Sequence, residues 1–183
     1  MKIIALLVLA LIGVSGCGLS GFPDRRGSDV VVYGPADHDP SLRNDAAFAL
    51  RWWKQATNDT DTHLVDSCDY ERACTIIVYT AGISDDETNG QTIRWSNTFN
   101  GNAGANIVIR PGLPPAAQRL TVAHEIGHAF EMFHVSDPDE LMHPRMMDEN
   151  LCIGWQTLTE WSALYGDNGR HTRTCIGNVS DDR

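Results

Sequence analysis

Residues 124–128 read His-Glu-Ile-Gly-His, two imidazoles four positions apart with a carboxylate beside the first. On an α-helix that spacing puts both rings on one face, a turn apart, so both can bind one zinc ion. Glu125 is then placed to polarise a water on the metal. A third ligand from beyond the helix would leave a fourth position open for that water, as catalytic zinc sites require. His134 follows, and then Leu141-Met142-His143-Pro144. The chemistry implied is zinc-dependent hydrolysis of peptide bonds.

A helix must present these rings. Pro114-Pro115 stops whatever precedes, and Ala116 to Phe130 then runs without proline, with Leu120, Ala123, Ile126 and Phe130 at helical spacing. His134 is the harder case. At about 1.5 Å per residue, a helix continuing past His128 would carry it about 9 Å along the axis and off the ligand face. It can join the same ion only if the helix breaks near residues 130–132 and the chain turns back.

The pattern His124, Glu125, His128 and His134, with Met142 downstream, resembles the metzincin metallopeptidases. The stretch from His134 through Ser136-Asp137-Pro138 to Leu141-Met142-His143-Pro144 is similar to the matrixin branch, as are Leu158-Thr159-Glu160 and Leu164-Tyr165-Gly166. The specific match spans roughly residues 116–166. The resemblance implies zinc bound by His124, His128 and His134, Glu125 as general base, and Met142 as a hydrophobic floor under the metal. His143 would line the pocket for the residue after the cleaved bond, an exposed loop histidine being the alternative. Pro144 stands where astacin-like and serralysin-like relatives carry a zinc-reaching tyrosine.

One departure concerns the turn itself. Glu131 occupies the position of the family's turn-forming glycine, and a side chain in the left-handed region costs roughly 1–2 kcal/mol. Either the fold absorbs that strain, or the helix runs on and sets the Glu131 carboxylate on the histidine face as a rival ligand.

The start of the chain suggests a compartment. Met1-Lys2 and the apolar run Ile3 to Val14 are long enough for a secretory signal but short of the about 20 residues that span a bilayer. Val14-Ser15-Gly16-Cys17 resembles a bacterial lipobox. That resemblance implies a signal over residues 1–16 and a lipidated Cys17 with a tether over 17–28, and the metzincin resemblance then implies a single catalytic domain over 29–183. An ordinary secretory signal is the alternative, and both readings are extracytoplasmic. Of five cysteines, removing Cys17 leaves four, which allow three pairings. Cys68 with Cys74 and Cys152 with Cys175 are the favoured pairs, and the absence of a C-x-x-C spacing speaks against a cysteine zinc site.

With 14 Lys+Arg against 24 Asp+Glu, the formal net charge is −10. That acidity and the lack of a basic run exclude nucleic acid and electrostatic membrane binding as expected roles. Membrane contact would come from the lipid alone, and the partner expected of a monomer is a peptide or protein substrate. Calcium sites are not inferable.

The remaining segments give an α/β order. Strands are expected at 29–33, 62–66, 75–80, 91–96 and 106–110, with a helix over 41–58 striped by Leu42, Ala46, Ala49, Leu50 and Trp53. Thr157 with Glu160 forms a capping-box pattern opening a last helix to Tyr165. By resemblance the sheet is twisted, five-stranded and mostly parallel, with 91–96 as an antiparallel edge beside the cleft and Trp95 among its substrate contacts. Two long helices and the C-terminal helix complete that fold. The competing functional class is a pseudo-peptidase that holds metal and captures peptides without cutting them.

Overall fold

The computed structural model describes residues 29–32, 40–59, 62–65, 75–84, 88–96, 103–145, 151–166 and 171–179. The expectations for residues 1–28, for Cys17 and for the Cys68–Cys74 pair lie outside them. In chain order the elements are β1 (Asp29–Val32), α1 (Pro40–Thr57), β2 (His63–Val65), β3 (Ile76–Thr80), β4 (Gly90–Ser96), β5 (Ala103–Ile109), α2 (Pro115–Ala129), β6 (Cys152–Ile153), α3 (Trp155–Tyr165) and β7 (Thr174–Cys175), with a closing 3-10 turn at Ile176–Asn178.

β1 lies between β2 and β3, parallel to both, and β3 pairs in parallel with β5. β4 runs antiparallel to β5 at the edge, giving the order β2-β1-β3-β5-β4. The class is α/β. Ile76 and Val78 of β3 are buried, and β5 is buried at Ala105 and in a continuous run from Ile107 to Ile109, as suits an inner strand beneath helices. α2 lies across β4 and β5, and α1 packs beside α2.

The expected stripe of α1 is buried, joined by Trp52 and Ala56. Trp53 forms the hub: its ring stacks on Trp161 at 6.0 Å and meets Phe130 edge-on at 5.8 Å. Its indole N–H donates to the Ala123 carbonyl of α2 at 2.9 Å, so a large apolar surface is buried with its one polar group satisfied. Asp45, also buried, accepts from Gln118 Nε2 (2.9 Å) and Arg119 Nε (3.0 Å), joining α1 to the N-terminal half of α2.

Two boundaries differ from the sequence expectation. β5 starts at Ala103 rather than Asn106, because Gly104 faces Trp95 across the β4–β5 ladder and the indole ring covers the site a side chain would occupy. α3 starts at Trp155 rather than Thr157, because its cap comes from elsewhere in the chain. The buried Glu140 carboxylate accepts from the Gln156 N–H (2.8 Å), the Thr157 N–H (3.0 Å) and the Thr157 hydroxyl (2.6 Å). Thr157 and Glu160 therefore form no capping box, and Glu160 instead accepts the Phe133 N–H at 3.0 Å. β6 and β7 pair antiparallel, and the disulfide between Cys152 and Cys175 joins residues directly opposite each other.

Candidate metal centre

α2 carries the first two imidazoles, and the way the helix ends brings in the third. Glu131 adopts φ 70°, within the left-handed region. Its N–H donates to the His128 carbonyl (3.0 Å), and the Met132 N–H donates to the Gly127 carbonyl (3.0 Å). Together these bonds form a Schellman stop with glutamate in the place glycine usually takes. Met132, directly after the turn, is buried. Of the two readings left open for Glu131, the turned chain is the one observed, and its carboxylate is not in the ligand cluster.

The turn brings the three rings together. One nitrogen from each of His124, His128 and His134 lies within 4.8 Å of the others, so the three could hold a metal ion. His128 Nε2 and His134 Nε2 are 3.1 Å apart. Ligands on one tetrahedral zinc, each about 2.0–2.1 Å from it, stand about 3.3 Å from each other, so this pair is close to ligand spacing.

Backbone carbonyls set the tautomers. His124 Nδ1 faces the Leu141 carbonyl at 2.7 Å, and His128 Nδ1 faces the Met132 carbonyl at 2.8 Å. A carbonyl can only accept, so Nδ1 carries the proton and donates, and Nε2 keeps its lone pair for a metal. Burial, with the neighbouring His128 next, lowers the His124 pKa from 6.5 to about 4 against the opposing pull of the Leu141 carbonyl. Burial also lowers that of His128, with the Met132 carbonyl opposing. Both rings are thus held neutral, the form that ligates. The donor set fits a divalent ion with three protein ligands and a remaining open position.

Glu125, beside His124, is 6% exposed, and burial pushes its carboxyl up from 4.5 to about 7. The Thr92 hydroxyl, on β4, lies 2.6 Å from Glu125 Oε2 and 2.9 Å from the Glu125 carbonyl. Gly90, where β4 begins, permits this approach, since a methyl there would collide with Thr121 and Glu125.

Met142 is fully buried and packs against Gly127, the residue directly before His128. A methyl on Gly127 would strike the Met142 sulfur and the Trp53 ring, so glycine is what lets the methionine lie flush with the helix. The loop bearing His134 is held from α3: Gln156 Oε1 accepts from the Ser136 N–H (3.0 Å) and hydroxyl (3.2 Å), and Glu160 holds Phe133.

A cavity of about 480 Å³ opens beside the imidazoles. Thr88 to Thr92 form one wall, Pro144 and Arg145 another, and the three histidines, Glu125 and Thr121 complete it. The structure therefore brings together Glu125, His124, His128 and His134, with Met142 behind them. Trp95 and His143 are not among the lining residues: Trp95 lies over Gly104, and His143 Nδ1 faces the backbone of Arg145. The sequence reading did not assign Thr92 or Glu140 a role. Thr92 was visible only as an alternating polar residue on an edge strand, and Glu140 only as an acid before the Leu-Met turn.

No protein-family model matches the chain, and no curated protein matches it by sequence.

Proposed function

We propose that the protein is a zinc-dependent endopeptidase of the metzincin type, nearest the matrixin branch, acting outside the cytoplasm. The observation that carries this reading is the convergence of three imidazoles beside a buried carboxylate held by Thr92, at the mouth of an open cavity. When bound, zinc supplies Lewis acidity, polarising a carbonyl and bringing the pKa of water towards neutrality.

The chain's own residues then divide the work. His124, His128 and His134 hold the ion, and the Leu141 and Met132 carbonyls fix the orientation of the first two rings. Glu125 takes the proton of the attacking water and returns it to the leaving amine, and a carboxyl pushed up to about 7 suits both transfers near neutrality. Thr92 steadies one carboxylate oxygen while the other remains available for the proton. β4, an antiparallel edge strand, can accept an extended substrate as a further strand, placing its backbone along the cavity.

The Cys152–Cys175 disulfide hints at an oxidising, extracytoplasmic compartment, and no helix among the described residues is long and apolar enough to cross a membrane. A lipid on Cys17 as the anchor, and a monomeric enzyme acting on peptides, belong to the same proposal.

The test pairs zinc stoichiometry with digestion of a broad peptide library. The wild-type protein binds one zinc and cleaves; Glu125→Gln keeps the zinc and loses cleavage by at least about a hundredfold. Bound zinc with no cleavage by the wild type would replace the enzyme with a peptide-capturing protein.

A further inference from the structure

Charge around the cavity is unevenly placed. The β4-side wall, from Thr88 to Thr92, is neutral, and among the described residues the charged lining groups apart from the imidazoles are Glu125 and Arg145. Glu125 is engaged by Thr92 at 2.6 Å. Arg145 stands on the other wall, directly after Pro144, on the turn that also carries Met142. Its N–H meets His143 Nδ1 at 3.2 Å, which holds the turn, while the residue itself is exposed and open to a ligand.

This guanidinium is not one sample of a basic surface. The chain carries 14 Lys+Arg against 24 Asp+Glu, so a cation lining the cavity runs against the overall balance. Arg94, the other guanidinium near the histidines, lies 6.0 Å over the Phe133 ring and is not part of the cavity wall. Arginine keeps its charge at every working pH, and its planar fork matches a carboxylate with two parallel hydrogen bonds.

We propose that Arg145 is a specificity-determining residue that selects peptides carrying a carboxylate close to the bond presented to the triad. The inference rests on the endopeptidase reading and names the substrate class of that same site. Two sources supply the same chemistry, an Asp or Glu side chain and the free C-terminus of a short peptide. A pair in an open cavity is partly screened, so the expected preference is roughly five- to tenfold at low salt and shrinks as salt is added.

The experiment separates binding from cleavage. Zinc-loaded full-length Glu125→Gln protein is titrated with amidated peptides identical except for Glu, Gln or Lys at each position within two of the cleaved bond. A Gln peptide with a free C-terminus forms the fourth arm, and the wild-type protein is assayed for cleavage of the same set. The Glu peptide, the free-acid peptide or both bind more tightly than amidated Gln, with Lys weakest, and the arm that shows the margin identifies the source. Adding Arg145→Gln removes the margin, and Arg145→Glu reverses the order of Glu and Lys. Equal affinities across the set, or a margin that survives Arg145→Gln in a protein still holding zinc, overturn the proposal. A margin without wild-type cleavage supports carboxylate selection and counts against the endopeptidase reading. Cleavage with no margin does the reverse.

Discussion

The Nε2 atoms of His128 and His134 stand 3.1 Å apart although six positions separate them, two more than the four that a helix sets one turn apart on its ligand face. That proximity is produced by Glu131 at φ 70° and by the two hydrogen bonds that close α2 behind it. His134 contributes no packing to the core, being exposed, so its alignment depends on the turn and on the anchors from α3.

His134→Ala therefore removes a ligand with little effect on the metal-free fold. Unfolding of the wild type shifts upward on adding zinc, by about 2.7 kcal/mol at a hundred times the dissociation constant, and chelation reverses the shift. In His134→Ala the zinc-dependent shift is largely lost while the metal-free midpoint stays within about 0.5 kcal/mol. Thermal melts with and without zinc read both quantities.

Substitution at Glu131 reports the strain. A β-branched side chain resists the left-handed region and glycine accepts it, so Glu131→Val is less stable than Glu131→Gly by about 1–2 kcal/mol. Urea unfolding of the two variants side by side measures the difference. Equal midpoints would mean that the turn does not hold that conformation in solution.

Gly127→Ala tests the contact behind the rings. The added methyl meets the Met142 sulfur and the Trp53 ring, and Trp53 is pinned by its bond to Ala123. Overpacking of this kind costs about 1–3 kcal/mol. Because Met142 adjoins Leu141, whose carbonyl orients His124, zinc affinity falls along with stability. A titration showing unaltered zinc affinity in a destabilised protein would separate Met142 from the metal site.

Thr92→Val deletes the hydroxyl on Glu125 while keeping the side-chain shape. Losing one hydrogen bond of about 1–1.5 kcal/mol lowers kcat by about tenfold, with KM and zinc content little changed. Thr92→Ser restores most of the rate. A valine variant as fast as the wild type would relieve Thr92 of any part in positioning the base.

Glu140→Ala leaves the Gln156 and Thr157 N–H groups and the Thr157 hydroxyl without their acceptor, at a cost of about 2–4 kcal/mol. Glu140→Gln keeps an acceptor and costs less. Hydrogen exchange localises the damage to the first turn of α3 if the cap is what fails.

What could be read from the chain follows the range of the interactions involved. The α2 ligands and the α1 stripe are written in short-range periodicity, where His124 and His128 or Ala46, Ala49 and Trp53 share a face by geometry alone. The turn at Glu131 was posed by the need to recover His134, but left two outcomes, because local propensity disfavours the one that tertiary packing selects. The start of α3 was misplaced for the opposite reason. Thr157 and Glu160 offer a plausible local cap, yet the effective cap is a carboxylate 17 residues before Thr157, held close by the bridge between Glu140 and Cys152. The Thr92–Glu125 bond spans 33 residues and two element types, and no periodic pattern encodes such a pairing. Arg145 carries no signal in the sequence, because its meaning depends on its place in the cavity wall.

The strand that carries Thr92 is also the outermost of its sheet, with a row of backbone groups that no neighbouring strand uses among the described residues. On the proposed endopeptidase reading, a peptide paired along that rim would grip the same strand that holds Glu125 through Thr92. A peptide long enough to brace the whole rim would then stiffen the support behind Glu125, and a short one would not. Under that reading, peptide length, independent of side chains, would throttle turnover.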